Sequence, residues 1–353
     1  MFNNQLRMTR GKLRSSALFI GHWVLVIGHW SSAAAHADSV VLAPRPDEPG
    51  RIVLSGKILD YGGAGLVMET ADGGKQTIPG KQVVEVRAEW NAAHRAGDDA
   101  WRRRDFTAAL KSFQSAADAE PRAWVKRLLR SRVVATLREL QKWDEAVELF
   151  LQLVREDPGT PFFDVIPLAW TPITPGGAAE GKARGWLADR SSKIASLCGA
   201  ALLLSTAARP EALQRLRELA LDGDIRVALL AEAQRWRTAA VTAEAAEVSQ
   251  WEATIDKLPD ALRAGPSLVV GRAWGQRNEP ERAALRLLRI PILHAEQPTL
   301  AAEALWSAGQ MLERLGQSSE AAGLYRELVR EHAQAIVASS ADDRLKELQA
   351  PMP

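Results

Sequence analysis

A recurring spacing constrains this chain more than any other feature. Between Ala93 and Pro121 the small residues Gly97, Ala109 and Ala116 alternate with the bulky Phe106 and Phe113, and Pro121 closes the run. About 37 residues on, Trp143, Ala146, Phe150, Leu153 and Pro158 repeat the second half of the pattern. Near the C-terminus Gly309, Gly316, Ala321, Tyr325 and Leu328 take the same places, preceded one unit earlier by Gly271, Ala283, Leu287 and Ile290. Two antiparallel helices approach to roughly 8–10 Å only where the contact residues are small. Gly97 and Ala109 therefore mark a helix crossing, and Ala116 admits the next hairpin. Phe106 and Phe113 share one helical face and fill the space between the helices. Pro121 follows the last turn, where a missing N–H ends a helix cheaply.

This pattern resembles the tetratricopeptide repeat, whose signature is a small residue midway along the first helix and Ala-x-x-x-aromatic on the second. The resemblance is clearest over residues 91–158 and 265–332. It departs at Val134 and Leu153 in the second unit and at Pro280 and Leu287 in the third, so an irregular solenoid is expected. The family is a helix-hairpin solenoid that holds other proteins or peptides. It implies a protein or peptide partner on the concave face, which is lined by the first helix of each hairpin. In this chain that face would present Asn91, His94, Asp98, Trp101 and Arg102, then Leu128, Ser131, Ala135 and Arg138, and last Glu303, Trp306, Gln310 and Glu313. Members that grip a terminal carboxylate use a Lys, Asn and Arg cluster there. Asn91 is present here, but the matching lysines are not.

The first 37 residues read as an export signal. Arg7, Arg10, Lys12 and Arg14 form a basic start, Ser16–Trp30 is mostly apolar, and Ala35-His36-Ala37 offers small residues around a cleavage point. The apolar stretch is shorter than the roughly 20 residues of a spanning helix, so cleavage leaves no integral span. Cleavage would place the protein in the periplasm or outside the cell, and retention as an anchor is the alternative. Removing the four basic residues takes the balance of Lys and Arg against Asp and Glu from 45:43 to 41:43. The slight basicity of the whole chain thus belongs to the signal, and no excess remains to suggest nucleic acid as a partner.

From 38 to 88 the grammar is β. Short runs rich in β-branched residues are punctuated by Gly62-Gly63, Asp72-Gly73-Gly74 and Pro79-Gly80. Five strands are expected, as a small antiparallel barrel similar in outline to SH3-like barrels, capping the solenoid or binding a ligand. TPR-like hairpins follow over 89–158. A connector at 159–178 carries Pro161, Pro167, Pro172 and Pro175 beside Phe162, Phe163 and Trp170, and is expected to lie on the solenoid as a crossover or to act as a partner-contacting lid. Irregular helical hairpins occupy 179–264, and TPR-like hairpins with a capping helix occupy 265–350. The fold class is mostly α.

Motifs for chemistry are few. Of six histidines, three lie in the signal, and His94, His294 and His332 are far apart. The sequence has no His-Glu-x-x-His helix, Cys-x-x-Cys pair, Gly-x-Ser-x-Gly elbow or phosphate loop. No catalytic, metal-binding or cofactor-binding residue is assigned. Cys198, the single cysteine, reads as a buried hydrophobe. The expected partner-binding residues are Asp98, Trp101, Arg102, Phe162, Phe163 and Trp170, because aromatics and arginine dominate interfaces when desolvated. The chain therefore reads as a non-enzymatic scaffold of the bacterial envelope. The alternatives are a structural subunit of a permanent complex, or an enzyme with its site in the β module or connector.

Overall fold

The computed structural model describes residues 38–44 and 50–349. The export signal expected over residues 1–37 lies outside the described residues. Five strands come first, β1 (Asp38–Leu42), β2 (Ile52–Gly62), β3 (Gly65–Glu69), β4 (Lys75–Ile78) and β5 (Val83–Arg87). They form one antiparallel sheet in the order β4-β3-β2-β1-β5. Its early half pairs β2 with β1, and its later half pairs β2 with β3, with a register shift between Ile58 and Asp60. The two edge strands, β4 and β5, do not pair with each other, so the expected barrel is instead an open sheet. Gly63-Ala64 turns β2 into β3, with Gly62 opposite Gly65.

Fourteen α-helices follow among the described residues. The first four are α1 (Ala92–Arg102), α2 (Phe106–Ala119), α3 (Ala123–Glu139) and α4 (Trp143–Glu156). After the connector come α5 (Gly177–Ala188), α6 (Lys193–Leu203), α7 (Arg209–Leu219), α8 (Ile225–Ala239) and α9 (Ala245–Ile255). The chain ends with α10 (Ala264–Gln276), α11 (Pro280–Leu293), α12 (Pro298–Arg314), α13 (Ser318–Glu331) and α14 (Ala338–Gln349).

The four hairpins α1–α2, α3–α4, α10–α11 and α12–α13 keep one register. A Cβ added at Gly97 would stand 2.6 Å from Phe113 Cε1, one at Gly271 2.6 Å from Leu287 Cγ, and one at Gly309 2.6 Å from Tyr325 Cζ. In each pair the bulky residue is 16 positions after the glycine. In the second hairpin Val134 and Phe150 keep that offset, and both are fully buried. Four residues bend these hairpins in the left-handed region, Arg104 (φ 62°), Gln141 (57°), Asn278 (59°) and Gly316 (74°), seven positions after Gly97, Val134, Gly271 and Gly309 respectively. That conformation ends a helix by turning the chain back on its own carbonyls. The residue after each turn donates its N–H to a carbonyl five residues earlier, Asp105 to Ala100, Lys142 to Leu137, Glu279 to Trp274 and Gln317 to Leu312. Ala109, Ala146, Ala283 and Ala321 sit at the next shared offset with no exposed surface, where the facing helix leaves room only for a methyl.

The sheet is not a separate body. Val40, Ile58, Leu66 and Met68 share one core with Phe113, Trp124 and Leu129 of the first helices. Arg127 ties the two parts together, donating to the Tyr61 carbonyl (Nη2, 3.0 Å) and pairing with Asp60. Asp157, just past α4, accepts the Gly63 N–H at 2.9 Å, so the β2–β3 turn is pinned beside the connector. The connector itself lies down. Phe163, Ile166, Leu168 and Ala169 are buried, and the Ala169 and Thr171 carbonyls accept from Gln234 (3.2 Å) and Arg237 (3.0 Å) of α8.

One contact was not foreshadowed by the spacing. Thr299, in the first turn of α12, donates to Glu139 Oε2 at the end of α3 through its backbone N–H (2.9 Å) and its hydroxyl (2.7 Å). Helices 160 residues apart in sequence thus meet, and the solenoid curls far enough for its last hairpins to touch its second. A cavity of about 380 Å³ lies along this seam, with Arg104, Glu139, Thr299 and His332 in its wall.

Candidate functional site

A concavity lies where the sheet, the first helices of the two leading hairpins and the connector converge. It encloses about 460 Å³. Helix α1 contributes His94 and Asp98. Helix α3 contributes Leu128, Ser131, Arg132 and Ala135. Strand β5 with Tyr61 closes one side, and Phe162, Asp164 and Val165 of the connector close the other. On α3 the spacing of 128, 131, 132 and 135 places these side chains on one helical face. Tyr61 and Phe162 meet edge to face at 5.4 Å and make the apolar end of the groove.

The charges here are mixed. Asp98 Oδ2 lies 3.6 Å from His94 Nε2, while His94 Nδ1 is buried and has no partner among the described residues. Burial holds the His94 imidazole below its ordinary value, against the upward pull of Asp98. The protein mass around Asp164 raises its carboxyl above the usual range, although Arg138 and Arg132 pull it back. Burial, with Asp164 nearby, pushes the Tyr61 hydroxyl up to about 12. Arg132 reaches the surface and Val84 of β5 is 65% exposed at the rim. The Ser131 hydroxyl donates to its own helix at Leu128 O (2.7 Å), so it is not held as a nucleophile. The Cys198 thiol is fully buried in another core, and burial raises its pKa strongly. The cleft thus sets acidic, basic and apolar groups side by side.

Of the six residues expected to meet a partner, only Asp98 and Phe162 face this groove. Trp101 packs edge to face on Phe106 at 5.2 Å within its own hairpin. Arg102 points outward and pairs with Asp99. Phe163 is core, set against Phe150 at 5.8 Å and capped by the Arg226 guanidinium at 4.0 Å. Trp170 wedges between three helical cores and covers Gly265. Asn91 caps α1, accepting from His94 N at 2.8 Å, and also donates to Ala116 O at 3.2 Å. Arg138 turns away toward Gln297 and the Asp164 carbonyl, and Trp306 leans on Tyr325 at 5.2 Å. Arg132 was missed although it follows Leu128 by one turn on the face already named. Tyr61, Glu85 and Asp164 reach the groove only through docking of the sheet and connector, which no local pattern announces.

With this geometry in place, one family model falls on the last of these hairpins. Residues 303–335, the greater part of the α12–α13 hairpin, match the family model described as the tetratricopeptide repeat. Among solved structures, a tetratricopeptide repeat protein from Parabacteroides merdae is similar at 14% identity, covering 73% of this chain and 98% of its own, with a TM-score of 0.41. No curated protein matches. The matched stretch falls in the α12–α13 hairpin, and the three other hairpins that keep its offsets repeat the same geometry. No helix among the described residues is long and apolar enough to cross a membrane.

Proposed function

We propose that this protein is a non-enzymatic binding or assembly scaffold that holds a protein or peptide segment in the groove between the sheet, α1, α3 and the connector. The observation that carries this reading is the 460 Å³ cleft itself, which presents the inner face of two repeat helices and is roofed by elements outside the repeat. Its volume falls within the range of ligand pockets, roughly 300–1,000 Å³. Its lining of Glu85, Asp98, Arg132 and Asp164 favours reversible capture over a permanent apolar seam. The site of action in this reading is the bacterial envelope. The basic, apolar, Ala-x-Ala order of the first 37 residues supports that.

A photo-reactive amino acid placed at position 132 tests the groove, with the same group at the exposed position 326 as control. Envelope extract from the native host should yield an adduct from position 132 that is absent from position 326. Arg132→Glu should weaken binding of the captured segment by about tenfold, the scale of one charge-assisted hydrogen bond. Equal labelling at both positions would remove the groove from consideration. N-terminal sequencing of the mature protein should read Asp38 first, and a retained Met1 would refute cleavage.

A further inference from the structure

A different cavity, of about 290 Å³, opens at the outer edge of the α10–α11 hairpin and belongs neither to the groove nor to the seam. Its wall brings together Arg263 at the start of α10 and Arg286 and Arg289, one turn apart on α11. The Nε and Nη2 atoms of Arg286 are buried and have no hydrogen-bond partner among the described residues. A guanidinium cannot shed its charge the way a lysine can, so a desolvated one with idle N–H groups calls for an acceptor. Burial also depresses the pKa of Arg286, with Arg289 and Arg263 adding to the effect.

The nearby carboxylates do not fill that role. Asp260 is held by Arg263 Nη1 at 2.6 Å, and Glu252 lies 3.5 Å from Arg282. Asp256 acts on Arg286 only through space and takes no hydrogen bond from it. Helix α10 begins here without a side-chain cap, so the positive end of a 13-residue helix adds to the field. Arg277 also has idle buried N–H groups, but it is not in this wall and its Nη1 donates to the Val241 carbonyl at 3.1 Å. Ile290 and Leu293 supply an apolar side to the cavity.

We propose that this cavity binds a small organic oxyanion, its phosphate or carboxylate group bridging Arg286 and Arg289 and its apolar body resting on the exposed Leu293. The cavity lies at the lower limit of small-ligand pockets, which fits a compact anion rather than a cofactor. The site stands independently of the groove.

Thermal melting and titration calorimetry of the full chain test this with three probes, sodium phosphate, phenyl phosphate and benzoate, each against chloride at equal ionic strength. At least one probe should raise the melting temperature of the parent, as any ligand of the native state does. The phosphate and benzoate arms identify which oxyanion is taken. Arg289→Gln alters an exposed side chain and should weaken binding about tenfold or more. Arg286→Met should melt at or above the parent in chloride, because an unpaired buried guanidinium is gone, and should lose the anion-induced rise. No heat and no rise with any probe would overturn the proposal, and so would a rise undiminished in both variants.

Discussion

Gly309→Ala isolates the contact on which the repeat geometry rests. In a helix interior this change ordinarily stabilises by about 1 kcal/mol, since alanine restricts the unfolded chain and favours helix. At position 309 the new methyl would stand 2.6 Å from Tyr325 Cζ, against an optimal carbon separation of about 3.5–4.0 Å. The ring cannot swing aside freely. Tyr325 is fully buried, and its hydroxyl donates to Glu313 Oε1 at 2.6 Å, a carboxylate that Arg344 holds from α14 at 2.8 Å. A shortfall of about 1 Å against a pinned ring belongs at the upper end of overpacking costs, about 3 kcal/mol. The net expectation is a loss of about 2 kcal/mol. Gly185→Ala in α5 is the control, because nothing lies within 4 Å of its added Cβ and it should gain about 1 kcal/mol. Urea denaturation of both variants should therefore place them about 3 kcal/mol apart. In a Tyr325→Ala background the clash disappears, and Gly309→Ala should become neutral or favourable. Equal shifts for the two glycine variants would refute the close crossing.

Four further outcomes follow from the same structure. Phe113→Ala should cost about 3–5 kcal/mol, since its ring is fully buried against Gly97, and Ala109→Leu about 1–3 kcal/mol by overpacking, both read by denaturation. His332 is held down to about 4, first by burial and then by Arg104, from an ordinary 6.5, so the unfolded chain binds its proton first. Stability from this group is complete above about pH 6.5 and falls, by at most about 3 kcal/mol, as pH drops toward 4. A His332→Gln melting profile should be flatter across that window. Glu139→Ala removes the acceptor that caps α12 across the seam and should cost about 1 kcal/mol, with scattering showing a more open particle.

Much of the fold was legible because its causes are local. Small and bulky residues at fixed offsets announced three of the hairpin crossings, and the clusters Gly62-Gly63 and Asp72-Gly73-Gly74 marked turns between strands. Helices α5 to α9 fill most of the stretch where irregular helical hairpins were expected, with Pro210 in the first turn of α7. The barrel outline went too far, because strand count and spacing say nothing about whether β4 and β5 will pair. The hairpin turns were hidden for another reason. Two of the four left-handed positions are occupied by Arg104 and Gln141, so only Gly316 and, more weakly, Asn278 carried the usual signal. Tertiary register imposes that conformation on ordinary residues, at a cost that propensity alone would have read as a reason against it.

The site was half legible, and the division follows the same line. Residues on α1 and α3 could be named because a helix face is a local property, as with His94, Asp98, Leu128 and Ser131. Aromatic residues could not be sorted into surface and core by type. Phe162 and Phe163 are neighbours in sequence, yet one turns to the groove beside Tyr61 and the other is locked between Phe150 and Arg226. What separates them is the single 3-10 turn at Phe163–Val165, whose geometry sends adjacent side chains in different directions. Anchoring of that turn depends on Asp157 gripping Gly63 and on α8 holding the connector carbonyls, both of them long-range contacts. The groove is therefore a product of how the sheet and connector dock on the repeats. A variant that loosens that docking, such as Asp157→Ala, should impair binding at the groove without touching a residue that lines it.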